Sequence, residues 1–333
     1  MAEAKYDVLG IGNAIFDVLV KTDEKFLSRH GMIKGGMSLI DEARAASIYR
    51  DMGPATEMSG GSAANTVVGI AGFGARAAYV GKVKDDQIGR LYAHDIRAAG
   101  VAFDTSPASG GPATGCSYIL VTNDGERTMN TYLGAAQELT ADDIDADKVA
   151  GARIIYLEGY LWDPKSAKEA FVKAAAIAHG AGREVALTLS DAFCVDRYRD
   201  EFLELMRKRT VDLVFANEAE LHSLYQTSDF DTALKELRKD TKLGVVTRSE
   251  KGCVVVSDDG VVAVPAFAID RLVDTTGAGD LFAAGFLVGL VRNAGYENAG
   301  RLGALAAAEV IQHIGARPLV SLKELAKKNG LPV

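Results

Sequence analysis

From about residue 150 onward, short apolar runs alternate with longer stretches in which apolar positions recur every three to four residues. Short apolar runs between polar positions fit strands buried on both faces, and the longer period fits helices with one packed face. The pattern predicts strands at residues 153–157, 184–189, 211–215 and 243–247, and a short β pair at 253–257 and 261–265. Between them it predicts helices at 164–179, where Pro164 suits a first turn, and at 196–208, 218–225 and 231–239. Such alternation builds a mainly parallel sheet covered by helices on both faces.

The first 135 residues are patterned differently. Residues 6–12 (YDVLGIG) fit a central strand, 15–21 a second strand, and 41–52 a helix. Residues 113–121 and 127–133 flank Asn123-Asp124-Gly125, whose Asp-Gly is a strong hairpin signal. A hairpin does not join a parallel sheet easily, so it is expected to form a small β lid with strands from residues 15–40. The lid would take up about 14–55 and 112–134 within a single domain, 1–333. Helices at 277–293, 297–313 and 322–329 would complete the chain.

With 48% hydrophobic and 25% charged residues, the 333-residue chain has an ordinary soluble composition, which excludes disordered and collagen-like classes. No repeat or low-complexity tract interrupts it. A net charge of −8 makes nucleic acid and anionic membranes poor main partners, but leaves a small anionic ligand open. Cys116, Cys194 and Cys253 lie far apart, form no metal or disulfide pattern, and fit packing positions in a reducing cytosol. The five histidines show no triad or metal spacing. The N-terminal stretch lacks a signal-peptide pattern, and the apolar run 281–291 is too short to cross a bilayer, so a cytoplasmic protein is expected.

The strongest chemical signal is Asp274-Thr275-Thr276-Gly277-Ala278-Gly279-Asp280, followed by the apolar run 281–286. Three small residues stand where an apolar helix begins. Their N–H groups lack helical partners and can face an anion, with the helix dipole adding to the attraction. Asp280, directly after them, can accept a proton from a hydroxyl beside a phosphate. Phosphoryl transfer needs these two things: donors for the moving group and a positioned base. A bare G-x-G-D string fits a capped glycine-rich turn equally well; the full heptad before an apolar helix is more specific.

Two more segments accompany it in order. One is Gly60-Gly61-Ser62-Ala63-Ala64-Asn65 opening a helix, followed by Gly72-Phe73-Gly74 and VGKVKDDQIG at 80–89. The other is Asn217-Glu218-Ala219-Glu220 after VDLVF. Together the three closely resemble the signatures of the ribokinase-like (PfkB) carbohydrate kinases, the adenosine kinases above all, over about residues 6–320. The resemblance implies an α/β fold: a three-layer α/β/α ribokinase-like sandwich with a mainly parallel central sheet and a small β-sheet lid. It also implies ATP-dependent transfer of a phosphoryl group to an alcohol.

Carried over by position, the resemblance makes Asp280 the catalytic base and the amides of Gly277, Ala278 and Gly279 an anion hole. Arg127 would reach from the lid toward the phosphates. Asn217 and Glu220 would organise Mg²⁺, Glu220 through water, as suits an ion that keeps several waters. Thr247, Gly252 and Thr275 would line the nucleotide, with residues 304–313 as an adenine-side wall or simply a core helix. ATP and Mg²⁺ are the implied cofactors, a monovalent cation such as K⁺ is admitted near Asp274, and a monomer or homodimer is expected.

Asn13 and Asp17 follow the first strand at its carboxyl end, where open α/β sheets place ligands. Asp17 can accept hydrogen bonds from two neighbouring hydroxyls, Asn13 and Asn65 add amide groups, and Gly60 and Gly61 allow close approach to the backbone. Gly10-x-Gly12 is no dinucleotide fingerprint, because the third glycine and the helix are missing. The long interval from Asp17 to Gly60 and the opening GNAIFDV resemble adenosine kinases, with Ala14 in place of their proline. Met37, Tyr118, Leu133, Phe193 and Trp162 offer apolar surface for a purine. The expected acceptor is therefore the 5′-hydroxyl of adenosine. Ala64, where eukaryotic adenosine kinases usually have glutamine, keeps inosine, guanosine, ribose and fructose open. A non-catalytic nucleoside-binding protein is the rival from another class.

Overall fold

The computed structural model describes residues 4–333, whose strands form two sheets. In chain order they are β1 Tyr6–Ile11, β2 Ile15–Lys21, β3 Met37–Leu39, β4 Thr56–Gly60, β5 Ala77–Val80, β6 Val101–Phe103 and β7 Gly115–Val121. There follow β8 Arg127–Tyr132, β9 Ala152–Glu158, β10 Glu184–Thr188, β11 Leu213–Asn217, β12 Leu243–Thr247, β13 Cys253–Ser257 and β14 Gly260–Val264. The large sheet runs β14-β13-β12-β11-β10-β9-β1-β5-β6. It is parallel from β6 to β12 and antiparallel at β13 and β14. Strand order reverses between β1 and β9, the switch point at whose carboxyl end α/β sheets take ligands.

Both faces of this sheet are covered, so its strands read as nearly continuous apolar runs. Ile154 and Tyr156 of β9 enter one core with Val8, Phe215 and the helices Ser62–Gly72, Ala278–Val291 and Tyr296–Val310. Ile155 and Leu157 enter the other with Leu9, Ile11 and the helices Lys165–Gly180 and Ala192–Arg207. The apolar run 281–291 lies inside the buried helix Ala278–Val291. A Cβ at Gly285 would fall on the Leu302 backbone, so the helices touch through their main chains. Among the described residues no helix is long and apolar enough to cross a membrane.

The small sheet has the order β3-β8-β7-β2-β4. Its β7–β8 hairpin turns through Gly125, whose N–H donates to the Thr122 carbonyl at 2.8 Å. The sheet takes in β4, past the expected limit at residue 55, because TEMSG shows no alternation that would mark it as a strand. The helix Glu42–Asp51, capped by the Asp41 carboxylate on the Arg44 N–H, packs against β7 and β8. Elsewhere the differences have local causes. The helix expected from 196 starts at Ala192, because Asp191 caps it through the Cys194 N–H and a bend at Tyr198 (φ −123°) breaks the period. The strand expected at 211–215 lies at Leu213–Asn217, and the helix expected through 313 stops at Val310.

Candidate active site

Gly277 takes a φ of +78° ahead of the helix Ala278–Val291, and a Cβ there would lie 2.7 Å from Ala316 Cβ. Conformation and space both require glycine. The Ala278 N–H donates to the Thr275 carbonyl at 3.2 Å, so it is engaged in the turn. The amides of Gly277, Gly279 and Asp280 donate to no protein acceptor among the described residues, which leaves them open to an anion.

Asp280, half-buried, sits directly behind these amides. Its Oδ1 accepts from Ser62 Oγ at 2.6 Å and its Oδ2 from Asn65 Nδ2 at 3.0 Å. Both donors lie near the start of the helix Ser62–Gly72. Burial pushes the Asp280 carboxyl above the ordinary carboxylate range, opposed by the bonds from Ser62 and Asn65 and by the Arg317 charge. A carboxylate raised above its ordinary range is a stronger base and is better suited to general-base work.

The helix Ser62–Gly72 is N-capped by Gly61, which has no side chain to offer. Glu158, at the end of β9, supplies the anion instead: Oε2 accepts from the Ala63 N–H at 2.8 Å, and Oε1 accepts from Asn13 Nδ2 at 2.8 Å and Asn13 N at 3.3 Å. Burial pushes Glu158 up to about 7. Through this one carboxylate the loop after β1 and the helix that carries Ser62 and Asn65 are held together.

In the small sheet, Asp17 lies opposite Met58 and Ser117, and Ser117 opposite Thr131, so all four share a face. The Asp17 carboxylate packs against Gly60, where a Cβ would fall on it. Burial pushes Asp17 up to about 7, against the pull of Arg317 and Arg127, with Asp280 raising it further. Tyr92 Oη donates to the Gly60 carbonyl at 3.1 Å. Arg127, on the same face of β8 as Met129 and Thr131, pairs with Asp274 at 2.5 Å. Asp274 also accepts from the Thr276 and Gly315 N–H groups. The buried Arg127 nitrogens make no well-aligned hydrogen bond, and Asn13 Oδ1 and Asn65 Oδ1 are likewise buried without a partner. Buried polar groups left unpaired in a native site point to a missing ligand or water.

The apolar candidates separate. Met37 lies opposite Met129, on the Asp17 face, and is 50% exposed. Leu39, which sequence reasoning passed over, lies opposite Thr131 on that face and is 56% exposed. Tyr118 pairs with Val18 and Asn130 on the opposite face, where its ring meets Tyr49 of the helix Glu42–Asp51. Leu133 follows β8, with its carbonyl against Gly115. Phe193 is 67% exposed in the first turn of the helix Ala192–Arg207, under the Arg197 guanidinium. Trp162 is buried core, its Nε1 donating to Glu201.

On the nucleotide side, Asn217-x-x-Glu220 is a reciprocal capping box. Glu220 accepts from Asn217 Nδ2 at 2.6 Å and Asn217 N at 3.0 Å, while Asn217 Oδ1 accepts from the Glu220 N–H at 2.8 Å. Burial pushes Glu220 up to about 7. Thr247 ends β12, Gly252 leads into β13, and Thr275 is exposed beside the glycine turn. Residues 304–310 pack against the helix Ala278–Val291 as core. Among the described residues no group of three or more His, Cys, Asp or Glu could hold a metal ion.

Three polar residues of this site were given no role from the sequence: Ser62, Glu158 and Arg317. Ser62 stands inside the Gly60–Asn65 segment, and Glu158 carried a signal as the lone carboxylate that ends a mostly apolar strand at the switch point.

The profile of the pfkB family carbohydrate kinases matches residues 52–322. A crystal structure of an adenosine kinase from Sinorhizobium meliloti is 57% identical, covers 98% of this chain and 100% of its own, and superposes with a TM-score of 0.91. That of a probable sugar kinase from Rhizobium etli CFN 42 is 53% identical, covers 99% and 100%, and has a TM-score of 0.92. Fructokinase-1 of Zea mays is 30% identical over 70% of this chain and 74% of its own, and the adenosine kinase of Saccharomyces cerevisiae 28% identical over 92% and 94%.

Proposed function

Because the chain belongs to the pfkB family of carbohydrate kinases, phosphotransferases that act on a hydroxyl group, we propose that it transfers the γ-phosphate of ATP to the 5′-hydroxyl of adenosine, giving AMP and ADP. The observation that carries the reading is the set of under-used buried groups around the two aspartates: Asn13 Oδ1 and Asn65 Oδ1 lack donors, and Arg127 has only its ion pair with Asp274 and no well-aligned hydrogen bond. A ribose supplies hydroxyl donors and a triphosphate supplies anionic acceptors.

Asp17 accepts from the ribose diol, and Asn13 and Asn65 take further hydroxyl protons. Asp280, held by Ser62 and Asn65, removes the 5′-hydroxyl proton as that oxygen attacks the γ-phosphorus in line. The free amides of Gly277 and Gly279 face the developing charge, and Arg127 exchanges Asp274 for phosphate oxygen. Magnesium, when bound, neutralises the phosphates; Asn217 and Glu220, tied up in their capping box, would meet it through its waters. We further read the chain as one kinase domain with the small sheet as its lid.

Two observations favour a nucleoside over a sugar. Met37 and Leu39 leave apolar surface exposed on the Asp17 face, which a purine would cover and a hexose would not. Similarity to the yeast adenosine kinase extends over 92% of the chain, against 70% for the maize fructokinase. The test is ADP release with adenosine, inosine, guanosine, ribose, fructose and fructose 6-phosphate. Adenosine is expected to give the highest kcat/KM. A preference for a sugar overturns the nucleoside assignment, and no turnover with any acceptor supports a binding protein.

A further inference from the structure

Arg317 lies in the segment after the helix Tyr296–Val310. Its Nη2 donates to the Ser59 carbonyl and to Ser59 Oγ, and its Nη1 to the Ala64 carbonyl at 3.3 Å. Ser59 is in β4 and Ala64 in the first turn of the helix Ser62–Gly72. One side chain from the C-terminal region therefore spans the junction where the small sheet hands over to that helix. The same helical turn aims Ser62 and Asn65 at Asp280. Asp95, from the helix Gln87–Ala98, braces the junction by accepting from Ser59 N at 2.8 Å and Ser59 Oγ at 2.6 Å.

The guanidinium also faces charge from several sides. Asp17 of β2, Asp280 of the helix Ala278–Val291, and Tyr92 and Asp95 of the helix Gln87–Ala98 all interact with it, and Tyr79 of β5 lies within its field. Arg127, the other cation near Asp17, is paired with Asp274. Buried carboxylates stay ionised more easily with a cation nearby, and Arg317 acts in that sense on both Asp17 and Asp280.

We propose that Arg317 is a positioning residue for phosphoryl transfer: it clamps the β4–helix junction so that Ser62 and Asn65 hold Asp280, and its charge favours the ionised forms of Asp280 and Asp17 on either side of that junction. The inference rests on the kinase reading for the role of Asp280, but not on which hydroxyl accepts the phosphate.

Removing the Arg317 charge raises the pKa of these carboxylates. The loss of activity at low pH then begins at higher pH. Tyr156, Glu158 and Tyr160 also interact with Asp280 and stay in place in the variants, so they do not move the contrast. A clamp that only stabilises the fold changes how much enzyme is folded, not the midpoint of the acid limb.

The experiment compares the full-length chain with Arg317→Met and Arg317→Lys from about pH 5 to 9. It reads kcat and KM by ADP release and nucleoside binding by calorimetry. Arg317→Met is expected to lower kcat at neutral pH by about 10–100-fold and to move the acid limb to measurably higher pH. Arg317→Lys is expected to keep the wild-type limb and recover part of kcat. A wild-type limb in Arg317→Met, or no recovery by Arg317→Lys, overturns the proposal. Should Arg317→Met fail to fold by circular dichroism, Arg317→Lys decides: an unmoved limb supports the proposal and a displaced one overturns it. A wild-type protein that binds adenosine without turnover refutes the kinase reading; the acid limb of binding, set by Asp17, still tests Arg317 by the same contrast.

Discussion

Replacing Asp280 by asparagine separates proton acceptance from shape. The amide keeps the volume and both hydrogen-bonding positions. Its NH₂ can donate to Ser62 Oγ, because a hydroxyl accepts as well as donates, and its oxygen can accept from Asn65 Nδ2. What disappears is the base. Loss of general-base catalysis lowers kcat by about 10²–10⁴-fold, which adds about 2.7–5.4 kcal/mol to the barrier. Stability should move the other way. Burial raises the Asp280 carboxyl, so the folded chain holds that proton to higher pH than the unfolded chain, where its pKa is about 3.9. Between the two values the native state binds more protons, and the stability tied to this group falls as pH rises through its folded pKa. Asparagine has no such dependence, so Asp280→Asn should gain stability relative to wild type as pH rises. The assay pairs ADP release and nucleoside calorimetry with thermal melting at about pH 5 and pH 8. Turnover within tenfold of wild type, or relative stability that falls between the two pH values, would refute the reasoning.

Asp17→Asn should raise the nucleoside KM by about 10-fold or more, as expected for hydrogen bonds to a charged group worth about 1.5–3 kcal/mol, and an unchanged KM removes Asp17 from the substrate site. Gly60→Ala places a methyl group on the Asp17 carboxylate and should weaken nucleoside binding while leaving the melting temperature nearly unchanged; a wild-type KM would show that the lid yields there. Glu220→Ala removes the acceptor of the Asn217 backbone and side-chain N–H groups and should lower stability by about 1–3 kcal/mol in denaturant titration, and a larger loss of kcat than of stability would assign Glu220 a part in catalysis as well. Gly285→Ala drives a methyl group into the Leu302 backbone and should destabilise by about 1–3 kcal/mol or more, which equilibrium unfolding would detect; a neutral result would mean that the two helices slide apart freely.

What the sequence determined by itself is what depends on near neighbours. Apolar runs and the 3.6-residue period located most strands and helices of the large sheet, because burial on both faces leaves its mark on every residue of a segment. The glycine turn before Asp280 and the Asn217–Glu220 pair were also legible, since a helix start is made by residues within one turn of each other. The short polar edge strand β4 was not, because its five residues, TEMSG, show no alternation. Register, likewise, is not a local property: it alone put Met37 and Leu39 on the Asp17 face and Tyr118 on the other. The groups that hold Asp280 and its surroundings come from far along the chain. Ser62 is 218 residues from Asp280, Glu158 is 145 from Asn13, and Arg317 is 258 from Ser59. No pattern of neighbours encodes such pairings. They arise only when the sheet brings the carboxyl ends of β1 and β9 side by side, and that required the tertiary structure.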